Sequence, residues 1–503
     1  MTRSRKRIVF HITGGAVVAF WMVLMGIWVS RNLNNETQAA EIKDEKLSVA
    51  HVERDWMEIY LKDRKVGYAM NQINPLEAGY LIQEEIFLNL NLMGQSSVMQ
   101  SLTRAVVDRE FFLKKFLFRL TSGVVSFQIS GEVDGRVMHI QTGEGKHREQ
   151  STIHLDGPVV IGAGMSQYFR GRELVPGQSF RFPLFDPSTM SRKSVEIKVV
   201  EKSSVEVNGI TYPAFRLQMQ LYGRGLSFWV NEKGVLLKEE GFMGLTLVKS
   251  SGAEATKGVS GGAGADFYEL AAVKSDRRLT RPRDIRHLKV RLKGFPPSVL
   301  DGAAVDQGRQ SLKGDVLDIV QEKLPTRGEY RLPYNDVSGK MASYLKPELT
   351  IQSDHPAILK KAGAISGGVN DPVAAARRLM GWVYTHMEKR PVVSVPDALT
   401  VLKNPVGDCN EHAVLLTALL RALKIPARVC VGLVYTNGRF YYHAWVEAYV
   451  GKWVSMDPTL NQMPADATHI QLVRGEMDKQ VDLIALMGQL ELDILDYAYD
   501  SPH

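Results

Sequence analysis

The chain holds 503 residues and 56.2 kDa, enough for two or three domains of roughly 100–200 residues each. Its 45% hydrophobic and 23% charged residues are globular composition, which excludes a collagen, a coiled-coil rod and a wholly disordered chain. The formal charge is only +7, and Arg3, Arg5, Lys6 and Arg7 crowd the first seven positions, so no dense basic surface and no nucleic-acid partner is expected. Two cysteines, Cys409 and Cys430, are too few for a disulfide framework, so stability must come from buried apolar surface.

Residues 1–7 read as a basic cytoplasmic tail. Ile8–Val29 is 22 residues without Asp, Glu, Lys or Arg, long enough as a helix to cross a hydrocarbon core of roughly 30 Å. The basic residues before it predict an N-terminal transmembrane helix with the N-terminus in the cytoplasm. A cleaved signal peptide is the rival, but its apolar core is usually only about 7–15 residues. The expected location is therefore a single-pass inner-membrane protein, with its bulk periplasmic or otherwise extracytoplasmic. Residues 30–50 are polar and read as a stalk.

Residues 51–249 alternate with period two. Leu88, Leu90 and Leu92 interleave with Asn89 and Asn91; Val195, Ile197 and Val199 interleave with Glu196 and Lys198. Asp134-Gly135, Asn208-Gly209 and Lys233-Gly234 are turn signals. An antiparallel β-rich domain is predicted. Trp56, Tyr60, Tyr68, Phe228 and Trp229 are read as core, with a hydrophobic groove as the alternative. Residues 250–265, SSGAEATKGVSGGAGA, form a Gly/Ser/Ala linker. The β-rich lead-in 266–345 opens with eight basic residues from Arg277 to Lys293, which suit a solvated strand face or a patch for anionic lipid or glycan.

Helical spacing begins near Pro356. Asp371-Pro372 marks a helix start, with Ala374, Leu379, Trp382, Val383 and His386 near one face. In 407–423, GDCNEHAVLLTALLRAL, Asp408 is a cap and Cys409 falls in the first turn. Free N–H groups there favour a thiolate, the reactive form of cysteine. Next come a strand over Ala427–Tyr435, a hairpin turn at Asn437-Gly438 and a strand over Phe440–Val450. The last carries His443 on the face of Trp445 and Glu447. Asp457 closes a neighbouring strand, where a carboxylate can fix an imidazole in one tautomer. Cys409, His443 and Asp457 thus read as nucleophile, base and orienting residue. The structural alternative pairs Cys409 with Cys430 in a disulfide.

These blocks, a Gly-x-Cys helix start, a His-Ala-Trp strand and a Trp-x-x-x-Asp-Pro strand end, resemble the core of the transglutaminase-like superfamily over about residues 345–470. The resemblance implies a papain-like α+β core within 346–503, its cysteine helix packed on an antiparallel sheet. It implies a cysteine peptidase or amidase working through a thioester, hydrolysis being favoured over transfer. A peptide or protein substrate is expected, cell-wall peptide among the candidates. No cofactor and no metal are expected, and no calcium-loop signature is present. Backbone N–H groups at Cys409 are candidates for the oxyanion site, with Trp382 as a weaker one. A non-catalytic binding or assembly module of the same fold is the alternative function.

Overall fold

Alternating apolar residues and tight turns make one continuous sheet of residues 53–250. The computed structural model describes residues 53–499 apart from 124, 144–148, 222–223, 242–243, 260–265, 295–304, 336–338, 393, 476–482 and 484–487. Its first fifteen strands are β1 (Glu53–Leu61), β2 (Arg64–Leu76), β3 (Gly79–Leu92), β4 (Gln95–Asp108), β5 (Leu113–Ser122), β6 (Val125–Asp134), β7 (Val137–Thr142), β8 (Glu149–His154), β9 (Val160–Ile161), β10 (Ser179–Asp186), β11 (Ser191–Val207), β12 (Ile210–Leu221), β13 (Arg224–Val230), β14 (Leu236–Glu240) and β15 (Leu245–Ser250). Neighbours pair antiparallel from β1 to β8 and from β10 to β15. β1 pairs antiparallel with β15 and joins the two meanders, while β9 lies parallel to β10. The Asn208-Gly209 turn places both residues at positive φ, 52° and 78°, as a two-residue hairpin loop demands.

The sheet curls on itself. Phe185 of β10 meets Phe116 of β5 with ring centroids 5.3 Å apart. Ile161 and Ala163 complete the cluster built from Ile82, Ala105, Leu113, Ile129, Met138 and Ile140. Two carboxyl groups interrupt this apolar face. Burial pushes Glu84 up to about 7, and burial together with the Glu84 charge does the same to Glu239. The five singled-out aromatics do not line one groove. Phe228 joins the cluster of Leu217 and Met219, whereas its neighbour Trp229 packs with Val205 and Leu237 on the other face.

After β15, Gly252–Thr256 forms a short helix capped by Ser251; 260–265 of the predicted linker lie outside the described residues. Helix α1 (Phe267–Ala271) leads into a five-stranded sheet, in the order β16 (Lys274–Ser275), the C-terminal strand Glu491–Ala498, β17 (His287–Lys293), β19 (Val316–Val320) and β18 (Gln310–Lys313). Leu288, Val290 and Leu292 of β17 are buried, as their alternation predicts. Much of the basic stretch is engaged within the molecule: Arg277 Nε donates to the Ile494 carbonyl at 2.7 Å, Arg291 pairs with Asp315 at 3.3 Å, and Lys293 pairs with Asp493.

The remaining helices are α2 (Pro356–Ser366), α3 (Pro372–His386), α4 (Ala398–Lys403) and α5 (Cys409–Ala422). Asp371 caps α3, as its sequence predicts, by accepting from Ala374 N–H at 2.9 Å. The short strands β20 (Glu388–Lys389) and β21 (Val406–Gly407) pair parallel just before α5. A four-stranded sheet follows α5, in the order β24 (Trp453–Met456), β23 (Arg439–Tyr449), β22 (Ala427–Thr436), β25 (Ile470–Arg474). Helix α5 is buried at every position from Glu411 to Arg421. One face of the sheet packs on α5 through Val429, Ala444 and Val446. Further along the same strands, Leu433, Phe440 and Ile470 pack on the five-stranded sheet.

The expected membrane anchor requires correction. Among the described residues no helix is long and apolar enough to cross a membrane. Helix α3, at 15 residues, rises only about 22 Å against a hydrocarbon core of roughly 30 Å. The expected span Ile8–Val29 and the stalk 30–50 lie outside the described residues. The single-pass anchor, the membrane as partner and the inner-membrane and periplasmic placement are therefore withdrawn. The observed class is a strand-rich α+β chain: a curled antiparallel sheet followed by a helix-and-sheet core.

Gly432 controls how closely β25 approaches β22. A Cβ there would lie 1.9 Å from the Ile470 carbonyl oxygen, on rigid backbone. Gly432→Ala is expected to destabilise the protein by about 1–3 kcal/mol or more through overpacking. Denaturant melts check this, and a wild-type midpoint would refute the close strand approach.

Candidate active site

Helix α5 begins with a reciprocal cap. Asp408 accepts from Asn410 N–H at 3.0 Å, and Glu411 accepts from Asp408 N–H at 2.9 Å. Gly407 is needed there because a Cβ would meet the Glu411 side chain at 2.5 Å. Cys409 occupies the first helical position and is partly exposed. Both cysteines are free and Cys430 is buried, so the disulfide alternative is not what the structure holds. The predicted helix effect on the thiol is outweighed. Burial pushes Cys409 well above its ordinary value, and the charges of Asp408 and Glu411 add to this, against one hydrogen bond from Ala444 N–H.

That hydrogen bond brings the helix start to the histidine strand, because Ala444 follows His443. In β23, His443 stands opposite Gly432 and Trp445 opposite Cys430. The Val446–Met456 pairing of β23 with β24 carries the chain on to Asp457. His443 Nε2 lies 2.8 Å from Asp457 Oδ2. Asp457 Oδ1 accepts from Thr459 N–H at 2.7 Å and Leu460 N–H at 2.9 Å. The Asp457 main chain pairs both ways with Gln462. Burial alone would raise this carboxyl. The charge and hydrogen bond of His443, with those of His469, overcome burial and hold it far below the usual carboxylate range.

His469 is the residue that the sequence reading missed. It is fully buried, with Nε2 3.0 Å from the same Asp457 Oδ2 and Nδ1 3.3 Å from Asp466 Oδ1. Asp466 also accepts from Thr468 N–H at 2.8 Å and Gln462 Nε2 at 2.9 Å. The available signal was an Asp-x-x-His spacing just before an apolar strand, which is weak. Register decides its role, since β25 pairs Ile470 with Leu433 and so sets the residue before it beside the site. His443, Asp457 and His469 offer three potential ligand atoms within 4.8 Å of one another. The two Nε2 atoms stand at hydrogen-bond distance from one carboxylate oxygen, so the three side chains form one hydrogen-bonded cluster.

Tyr268 and His412 also meet the helix start. Tyr268 of α1 donates its hydroxyl to Asp408 Oδ2 at 3.0 Å; burial and the neighbouring Asp408 and Cys409 charges keep that phenol protonated. His412 is fully buried, with Nδ1 2.6 Å from the Asp408 carbonyl, and burial lowers its affinity for a second proton. Trp382, the weaker oxyanion candidate, stacks on His386 at 4.6 Å with Lys361 over its ring.

Residues 360–458 match the model of the transglutaminase-like superfamily. This part of the chain is a transglutaminase-like core. Among solved structures, a candidate cysteine protease from Cytophaga hutchinsonii is similar at 19% identity and TM-score 0.29, over 46% of this chain and 84% of that one. A β-barrel-like domain of unknown function from Brucella abortus is similar at 12% identity and TM-score 0.30, over 39% of this chain and 94% of that one. No curated protein matches the chain.

Glu411 supplies a pH test of the transglutaminase-like core. Burial and the Asp408 charge push it up to about 8, from an ordinary value of 4.5. A raised folded-state value means the folded protein binds this proton more tightly. Its stabilising effect is therefore complete below about 4.5 and lost as the pH rises to about 8. Glu411→Gln keeps an acceptor for Asp408 N–H and is expected to flatten that decline in denaturant melts. A wild-type slope in the variant would show that Glu411 titrates normally.

Proposed function

We propose that the transglutaminase-like core is a cysteine hydrolase acting on an amide bond of a peptide or protein. Cys409 is the nucleophile, His443 the base and then the acid, and Asp457 the orienting carboxylate. Two facts at adjacent residues of β23 jointly carry this reading. Ala444 N–H reaches the Cys409 sulfur, and His443 Nε2 is held on buried Asp457. With Nε2 taken, Nδ1 is the nitrogen left to serve the thiol.

The Cys409 proton passes to His443 while sulfur bonds to the amide carbonyl carbon. The tetrahedral oxyanion is met by the backbone N–H of Cys409. The C–N bond then breaks, His443 returns its proton to the leaving amine, and a thioester remains on Cys409. Water, deprotonated by His443, attacks the thioester and releases the acid and the thiol. An amine in place of water would make the same intermediate a transfer reagent; hydrolysis is the expected course.

Turnover of a peptide and amide mixture, read by mass, tests the assignment. Cys409→Ala is expected to abolish product, and His443→Ala to come close to that. Asp457→Asn is expected to be milder than His443→Ala, although the equivalent change in one serine protease costs about 10⁴ in rate. Residues acting as a unit do not add, so the Cys409/His443 double variant should match Cys409→Ala. Retained turnover in folded Cys409→Ala would overturn the enzyme reading.

A further inference from the structure

We infer that His469 is a positioning residue for the proposed catalytic pair: a second, charged imidazole that shares Asp457 with His443 and thereby sets the pH at which Cys409 becomes a thiolate. This rests on the triad proposed above. The charged state follows from geometry. Both ring nitrogens of His469 face carboxylate oxygens, Asp457 Oδ2 at 3.0 Å and Asp466 Oδ1 at 3.3 Å. A neutral imidazole has one N–H and would press a lone pair against a carboxylate, with 0% of the side chain open to water. An imidazolium satisfies both. Burial opposes the charge, but Asp466 and Asp457 outweigh it and push His469 up to about 9.

The groups facing His469 come from three elements: Asp466 on its own loop, Asp457 after β24, and His443 on β23 at 5.9 Å between ring centroids. Trp445 stands edge-on to it at 5.3 Å. Behind the loop, Arg309 donates to the Asp466 carbonyl at 2.5 Å and to that of Ala465 at 2.9 Å, and pairs with Glu322 at 3.2 Å. A neutral donor would suffice to fill Asp457 Oδ2. A cation does more, because it offsets part of the negative charge of Asp457, a charge that itself acts against the Cys409 thiolate. That offset favours the thiolate.

The experiment follows iodoacetamide alkylation of Cys409 against pH in the full-length protein, by peptide mass, which needs no substrate. Relative to wild type, His443→Ala should raise the midpoint, because it removes the proposed imidazolium partner of the thiolate. His469→Gln removes the charge and should raise the midpoint by about 0.5 pH units or more, slowing alkylation about threefold below it. An unchanged midpoint in His469→Gln, with wild type still dependent on His443, overturns this inference alone. A wild-type midpoint indifferent to His443 removes the triad reading and this inference with it. Alkylation of buried Cys430 would reveal an unfolded variant. In that event nitrogen NMR of the histidines in wild type decides: one ring protonated on both nitrogens at about pH 8 supports the assignment, and only singly protonated rings overturn it.

Discussion

A single buried carboxylate organises this half of the molecule. Asp457 has no exposed surface and receives four donors, two backbone N–H groups and two imidazole nitrogens. An unpaired charge so placed would be prohibitively unfavourable, so each donor must be held where the carboxylate needs it. The backbone donors come from the turn after β24, closed by the Asp457–Gln462 pairing. One imidazole comes from β23. The other arrives only because β25 packs against β22 at Gly432, which stands directly opposite His443. The glycine, the strand register and the carboxylate are thus parts of one constraint.

The curled sheet is tied to the same site through α1 and through the segment before α4. Asp266 accepts from Gly94 N–H at 2.7 Å and caps α1. Tyr268 packs on the cluster of Leu88, Leu90 and Leu92 and reaches Asp408 with its hydroxyl. Glu269 receives Arg439 and Tyr441, both at 2.7 Å, from the histidine strand. Val395, in the segment before α4, is buried in the cluster of Phe116 and Ile129. The Glu269–Arg439 pair is more than half exposed and contributes little by itself. Apolar burial of Val395 and Tyr268 is the stronger tie, because it removes carbon surface from water at both ends.

The sequence made the local features legible. Asp408 as cap, Cys409 in the first turn, His443 on a strand and Asp457 at a strand end each follow from residue type and short-range pattern. The turn at Asn208-Gly209 was legible for the same reason, since few residues tolerate positive φ at both positions. What stayed hidden depends on register between distant segments. His469 gains meaning only through the pairing of β25, and Tyr268 only through the path of α1. Arg309, far upstream, supports the 457–469 loop through contacts that no spacing rule encodes. The closure of the sheet by β1 on β15 spans nearly two hundred residues and leaves no local trace.

The thiol shows why a motif and its chemistry can pull apart. A helix N-terminus favours a thiolate, and the same terminus attracts acidic caps, because both answer to the same free N–H groups. Here Asp408 and Glu411 take those groups and set two carboxyl groups beside Cys409. The cap that holds the helix thus works against the thiolate that the helix would otherwise promote. Glu411 eases the conflict: with its value pushed up to about 8, it carries little charge at neutral pH. Asp408 is further engaged by the Tyr268 hydroxyl, which draws on its charge without adding one. What then remains to favour the thiolate is the Ala444 N–H. The sulfur accordingly draws its stabilisation from β23 more than from the helix terminus that carries it.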